Sequence, residues 1–203
     1  MRWSGCNSPI CARRWHGRDA LERLQLAHLR QTVAWALKTP FYRGRLAEIG
    51  LRHPEDIAGL RDLRKLPYTT KDDLREAYPR GLLAVDLEQA VRLHTSSGTT
   101  GMPTVIYHSR QDLDRWTELV ARCIVATGAT AADVFQNMTG YGLFTGGLGL
   151  HYGAERVGML VIPASSGNTG RQLHLMQSFQ TTVVHATPSY LLHLHAALAE
   201  EGI

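Results

Sequence analysis

Val91-Arg92-Leu93-His94-Thr95-Ser96-Ser97-Gly98-Thr99-Thr100-Gly101-Met102-Pro103-Thr104-Val105-Ile106-Tyr107-His108 is the stretch on which the fold of this 203-residue chain turns. Two β-rich runs, Val91–Thr95 and Thr104–His108, flank a loop dense in Ser, Thr and Gly, which predicts two strands paired as a hairpin around it. Glycines let a backbone approach a ligand closely and take up positive φ. Successive N–H groups can then converge on one oxyanion, and the hydroxyls add further donors. The ligand that suits such a loop is a phosphate chain. It is not a loop of the G-x-x-x-x-G-K-[ST] type, because the glycine spacing differs and it carries no Lys. On chemistry alone, a plain surface hairpin fits the same residues.

Upstream of this stretch the pattern is helical. Leu21, Leu24, Leu29, Val33, Ala36 and Leu37 recur at roughly helical spacing, Asp19 can cap, and Pro40 stops the run. A second helix is expected from Phe41 to Ile49, closed by Gly50, and His53-Pro54 starts another turn. Thr70-Lys71-Asp72-Asp73 reads as a helix start, with a hydroxyl cap and carboxylates in the first turn where the helix dipole favours them. Downstream, strands and helices alternate. Strands are expected at Val134–Met138, Met159–Pro163 and Thr182–Ala186, and helices from Ser109 to about Thr127, around His151–Val157, at Gly170–Phe179 and at Ser189–Glu201. That alternation predicts an α/β layer structure with a largely parallel sheet. The expected organisation is an irregular lead over residues 1–18, a helical N-terminal subdomain over 19–90 and an incomplete α/β domain over 91–203. The last helix would cover a sheet still short of a strand, which suggests truncation.

The composition is ordinary for a globular protein, 44% hydrophobic and 20% charged with net charge +4. It holds no apolar run of about 18 residues that would suggest a membrane span. The weak basic bias suits an anionic small molecule. Without a Lys/Arg block or interleaved aromatics, nucleic-acid binding is not expected. Cys6, Cys11 and Cys123 form neither a disulfide framework nor a metal site, and they read as reduced thiols of a cytoplasmic protein. Asn137-Met138-Thr139 matches a glycosylation sequon, read as chance. Ser165 and Ser166, like Ser96 and Ser97, sit in no G-x-S-x-G elbow. The ten histidines are scattered, with His94 and His151 beside the informative segments. Gly146-Gly147-Leu148-Gly149 invites a dinucleotide reading, which fails because Tyr152 stands where a third glycine is needed. A tight strand-to-helix turn suits the glycines of Gly140–Gly149. Tyr141 and Phe144 fit either an apolar ligand site or an ordinary core.

Ser96-Ser97-Gly98-Thr99-Thr100-Gly101-x-Pro103 resembles the phosphate-binding signature of the adenylate-forming superfamily, the acyl-CoA synthetases and their relatives. Many members carry Lys at the position of Thr104. The phenylacetate–CoA ligase family has Thr there, and often Lys where Met102 stands, so this loop lacks its usual cation. Further segments resemble that family: Thr39-Pro40-Phe41-Tyr42, Pro67 to Arg75, Gly140 to Glu155, Pro163 to Thr169 and Ala186 to Tyr190. The resemblance covers about residues 20 to 203. It implies a two-step reaction, in which an aryl-acid carboxylate such as phenylacetate attacks ATP, with Mg²⁺, to give an acyl-adenylate, and coenzyme A then displaces AMP. By resemblance Ser96, Ser97, Gly98, Thr99, Thr100 and Gly101 cradle the phosphates, while Tyr141, Gly142, Phe144, Gly146 and Gly147 line the aryl site. No catalytic side chain and no metal ligand is assigned. The expected partners are the aryl acid, ATP and coenzyme A, with a homodimer or a missing C-terminal half as the protein partner. The alternatives are adenylyl transfer to another acceptor, as in coenzyme F390 synthetases, and a non-catalytic fragment.

Overall fold

The computed structural model of the chain describes residues 17–96 and 103–200. They fall into two compact units, one ending at Arg110 and the other beginning at Gln111.

In the first unit, helix α1 (Arg18–Ala36) is followed by α2 (Pro40–Glu48) and α3 (Lys71–Glu76), with short 3-10 turns at Pro54–Asp56, Leu60–Lys65 and Leu87–Gln89. Asp19 does not cap α1: Gly17 holds the N-cap position with no side-chain bond, and Asp19 lies in the first turn, where its charge complements the helix dipole. Leu26, Leu29, Val33 and Ala36 recur every three or four residues along α1. They pack with Leu46 of α2 and with Leu51 and Ile57 beyond it. Pro40 opens α2 as well as ending α1. Thr39 joins the two helices by donating its hydroxyl to the Ala36 carbonyl and accepting the Tyr42 N–H. Thr70 caps α3 in a reciprocal box with Asp73, and Arg45 of α2 reaches that carboxylate at 2.6 Å. Together these bonds hold the Asp73 carboxyl well below the usual range, the guanidinium being the largest cause.

The unit ends in an antiparallel hairpin of β1 (Ala90–Thr95) and β2 (Val105–Ser109), with Leu93 opposite Tyr107 and Thr95 opposite Val105. Buried His94 meets His108 edge-to-face across the pair, ring centroids 5.5 Å apart.

The second unit is a three-layer sandwich. Its parallel sheet runs β4 (Leu160–Ile162), β3 (Val134–Asn137), β5 (Val183–His185), with β3 central. Helices α4 (Arg110–Ala126) and α5 (Thr145–Val157) cover one face, where Ile124, Phe135, Ala154 and Met159 form a core. Helices α6 (Thr169–Phe179) and α7 (Pro188–Glu200) cover the other, around Met138, Leu173 and Leu194. The period-two alternation of a strand sorts β3 between the faces. Phe135 joins the α4/α5 core, and Gln136 bonds Gln172 of α6. Asn137 bonds Gly147 of α5, and Met138 joins the α6/α7 core.

The second half of the glycine-rich stretch is helix, not turn: α5 starts at Thr145 and takes in Gly146, Gly147 and Gly149, with Gly153 further along. Close packing explains why. A Cβ on Gly149 would stand 2.4 Å from the Trp116 ring, and one on Gly153 2.3 Å from Val120, both on α4. Gly is a poor helix former, and α5 tolerates it so that α4 can approach.

Candidate functional site

Connections leave the C-terminal edge of the sheet in two directions. The segment after β3 goes to α5 on one face, and those after β4 and β5 go to α6 and α7 on the other. In open α/β sheets the crevice at such a divergence, beyond the carboxyl ends of the strands, is where ligands bind. The edge is built from Asn137 at the end of β3, the segment Met138–Phe144, the loop Pro163–Asn168 and His185 at the end of β5. Ser165 (φ 61°), Gly167 (φ 81°) and Asn168 (φ 53°) bend the β4 loop back over the strands. The Ser165 N–H bonds the Asn137 carbonyl at 3.0 Å, and Gln172 holds the carbonyls of Ser165 and Gly167.

Asn137 organises this edge. It is fully buried, and every polar atom of its side chain is used. Its Nδ2 donates to the Gly147 carbonyl at 2.8 Å and to the Tyr141 hydroxyl at 2.9 Å. Its Oδ1 accepts from the Thr139 N–H and hydroxyl. Because a carbonyl only accepts and a backbone N–H only donates, the amide can face only this way. A carboxamide oxygen cannot donate, so His185, whose Nδ1 lies 3.0 Å from the same oxygen, donates from Nδ1. Burial pushes the His185 imidazole below its ordinary value, which favours the neutral ring. The sequon at Asn137 is thus no glycosylation site in the folded chain, as its nitrogen is buried and doubly bonded.

Of the residues expected at an aryl site, Tyr141 lies on this edge, half-buried, with its hydroxyl bonded to Asn137 and 3.2 Å from His151 Nδ1. Burial raises its phenol above the ordinary value. Gly146 and Gly147 form the first turn of α5, with Gly147 buried against Gly140 and Tyr141. Gly142 is exposed, and Phe144 is 65% exposed beside Gly146. Sequence reasoning missed Asn137, His185 and Gln172. The signal was two amides, Gln136 and Asn137, inside an otherwise apolar strand.

Of the phosphate-loop residues, Ser97, Gly98, Thr99, Thr100 and Gly101 lie outside the described residues. Ser96 closes the base of that loop: its N–H donates to the Thr104 carbonyl and its hydroxyl accepts the Thr104 N–H, each at 3.0 Å. Among the described residues no three His, Cys, Asp or Glu side chains form a metal-binding group, and no helix is long and apolar enough to cross a membrane.

No protein-family model matches the chain. Curated proteins do. It is 49% identical over 190 residues to a phenylacetate-coenzyme A ligase of Pseudomonas putida, a match covering 91% of this chain and 42% of that protein. To the phenylacetate-coenzyme A ligase of Escherichia coli it is 49% identical over 177 residues, covering 87% of this chain and 40% of that one. The chain therefore spans about two fifths of the length of these relatives. Among solved structures, a 2-hydroxyisobutyryl-CoA ligase with its acyl-adenylate and coenzyme A in the thioesterification state matches with TM-score 0.83 and 27% identity, over 92% of this chain and 41% of that one. An open conformation of the same ligase matches with TM-score 0.81 and 26% identity, over 91% of this chain and 41% of that one. The architecture is that of the adenylate-forming ligases over the part the chain spans.

Proposed function

From a sequence that matches phenylacetate-coenzyme A ligases over 91% of its length, we propose that the chain supplies the phosphate loop and the acid site of an ATP-dependent acyl-CoA ligase acting on an aryl acid of the phenylacetate class. The identity to those ligases carries this reading, and the diverging loops around Asn137 and Tyr141 support it. In the proposed reaction the acid carboxylate attacks the α-phosphorus of ATP, releasing pyrophosphate, and the thiolate of coenzyme A then displaces AMP from the acyl-adenylate. The solved ligase that matches the chain holds an acyl-adenylate and coenzyme A, which favours coenzyme A over other acceptors. Mg²⁺ would arrive with the triphosphate.

The residues act by placement and by neutralising charge. The N–H groups and hydroxyls from Ser96 to Gly101 take the phosphates, with Ser96 latched to Thr104 so that the loop springs from a fixed base. Tyr141, Gly142, Phe144, Gly146 and Gly147 receive the ring. Glycine at 147 lets the helix start close against Gly140 and Tyr141, and the Tyr141 hydroxyl is drawn aside by Asn137 and His151, leaving its ring to face the acid.

The test is a hybrid ligase in which residues 17–200 of this chain replace the matching segment of the P. putida relative. Phenylacetate-dependent pyrophosphate exchange and thioester formation are expected. A folded hybrid that performs no exchange with any aryl acid would overturn the assignment.

A further inference from the structure

The Tyr141 hydroxyl lies in a chain of hydrogen bonds whose direction is fixed at its Asn137 end. Asn137 Nδ2 donates to it, because Gly147 fixes the amide orientation. One lone pair of the phenol is thereby taken. Burial raises the phenol above its ordinary value, and the other bonded partner of its hydroxyl among the described residues is His151 Nδ1 at 3.2 Å. With the phenol proton directed there, that nitrogen is the unprotonated one. The ring proton sits on Nε2, where it meets the Glu155 carboxylate at 3.0 Å. His151 and Glu155 are one helical turn apart on α5 and so share a face. Tyr141 and His151 also meet edge-to-face, ring centroids 5.7 Å apart.

We infer that His151 and Glu155 are positioning residues for Tyr141: they draw its hydroxyl proton toward α5, so that Tyr141 offers a bound acid an apolar ring and one lone pair, and no donor. The consequence for specificity is chemical. Against Tyr141 the site takes an unsubstituted ring or a group that donates a hydrogen bond, and it gives no partner to a group that only accepts. This rests on the reading of Tyr141 as part of the acid site, while the hydrogen-bond order itself does not.

Two measurements on the full chain separate the claims. The first uses ¹⁵N-labelled histidine. At neutral pH the His151 signals should show a protonated Nε2 and a bare Nδ1, and Tyr141→Phe should move the Nδ1 resonance toward that of an unbonded lone pair. A protonated Nδ1, or an Nδ1 signal indifferent to Tyr141→Phe, overturns the inference. The second is calorimetric titration with phenylacetate. Loss of one neutral hydrogen bond is worth roughly 3- to 10-fold in affinity. His151→Leu should weaken binding by about that factor, and His151→Gln, whose side-chain oxygen can still accept, should restore most of it. In a Tyr141→Phe background His151→Leu should add nothing, because the histidine acts through the tyrosine. An equal loss in both backgrounds means His151 acts on its own and overturns the inference. If phenylacetate fails to bind the wild-type chain, the acid-site reading fails and the spectra alone decide the hydrogen-bond order.

Discussion

Replacing Gly147 by Ala tests whether the start of α5 is glycine-rich for packing. In an exposed helix the change would stabilise by about 1 kcal/mol, because Ala loses less conformational freedom. Here the added Cβ would stand 2.3 Å from the Gly140 carbonyl oxygen, 3.0 Å from its carbon and 3.3 Å from the Tyr141 Cα. These are backbone atoms with no rotamer to escape into. Ordinary contact begins near 3.4 Å, so the segment must retreat by roughly 1 Å. Overpacking of this kind costs about 1–3 kcal/mol. The retreat also breaks the 2.8 Å bond from buried Asn137 to the Gly147 carbonyl, and an unsatisfied buried group costs about 1–3 kcal/mol more. Net of helix propensity, the loss is about 1–5 kcal/mol. For a unit of about 100 residues that lowers the melting midpoint by roughly 4–8 °C per kcal/mol. Two controls bracket the effect. Gly142→Ala meets nothing within 4 Å, and the atoms nearest a Gly146→Ala Cβ belong to the ring of exposed Phe144, which can turn away. Thermal unfolding by circular dichroism should rank Gly142→Ala and Gly146→Ala near or above wild type and Gly147→Ala well below. Equal midpoints for all three would refute the packing account.

The remaining expectations concern the network, the loop, acid and the isolated chain. Asn137→Asp puts a carboxylate oxygen against the Gly147 carbonyl, and should destabilise the second unit by about 3 kcal/mol or more as an uncompensated buried charge, read by denaturant titration. Replacing Thr99 and Thr100 together by Ala in the hybrid ligase should cut pyrophosphate exchange by up to about a thousandfold, at about 1.5–3 kcal/mol per charge-assisted bond; unchanged exchange would remove the loop from the mechanism. Acid should affect the two units in different windows. His185 takes up its proton less readily folded than unfolded, so its contribution in the second unit is complete above the ordinary histidine value of 6.5 and is lost as pH falls below it. Asp73 in the first unit contributes fully above the ordinary carboxylate value of 3.8 and loses that contribution below it. Hydrogen exchange between pH 8 and pH 3.5 should therefore show the second unit weakening first. Residues 1–203 by themselves, given phenylacetate, ATP, Mg²⁺ and coenzyme A, should form no thioester, because they match 42% of the length of the P. putida ligase.

The parts of this molecule that were legible in the sequence are those governed by local rules. Thr70 and Asp73 form a capping box because their spacing lets each side chain reach the other's N–H, and that spacing is visible in four letters. The hairpin and the three parallel strands follow from β-rich runs bounded by turn residues, and each strand lies within a residue or two of its expected limits. The failures share one cause, which is that their explanation lies in a partner distant in the chain. Gly147 and Gly149 read as turn residues because glycine costs helix stability; only the Gly140 carbonyl and the Trp116 ring show why helix α5 accepts that cost. Asn137 read as a chance sequon, yet its amide binds Thr139, Tyr141, Gly147 and His185, the last across 48 residues of sequence. A lone buried amide in an apolar strand is expensive unless every donor and acceptor finds a partner. Its presence at the end of the central strand is thus itself a signal that loops from several elements converge there. The same logic covers Gln136, whose amide is met by Gln172 and Thr181 on the opposite face. Two consecutive amides, one facing each layer, tie α5 and α6 to the central strand, and the Asn137 tie also holds the Tyr141 hydroxyl.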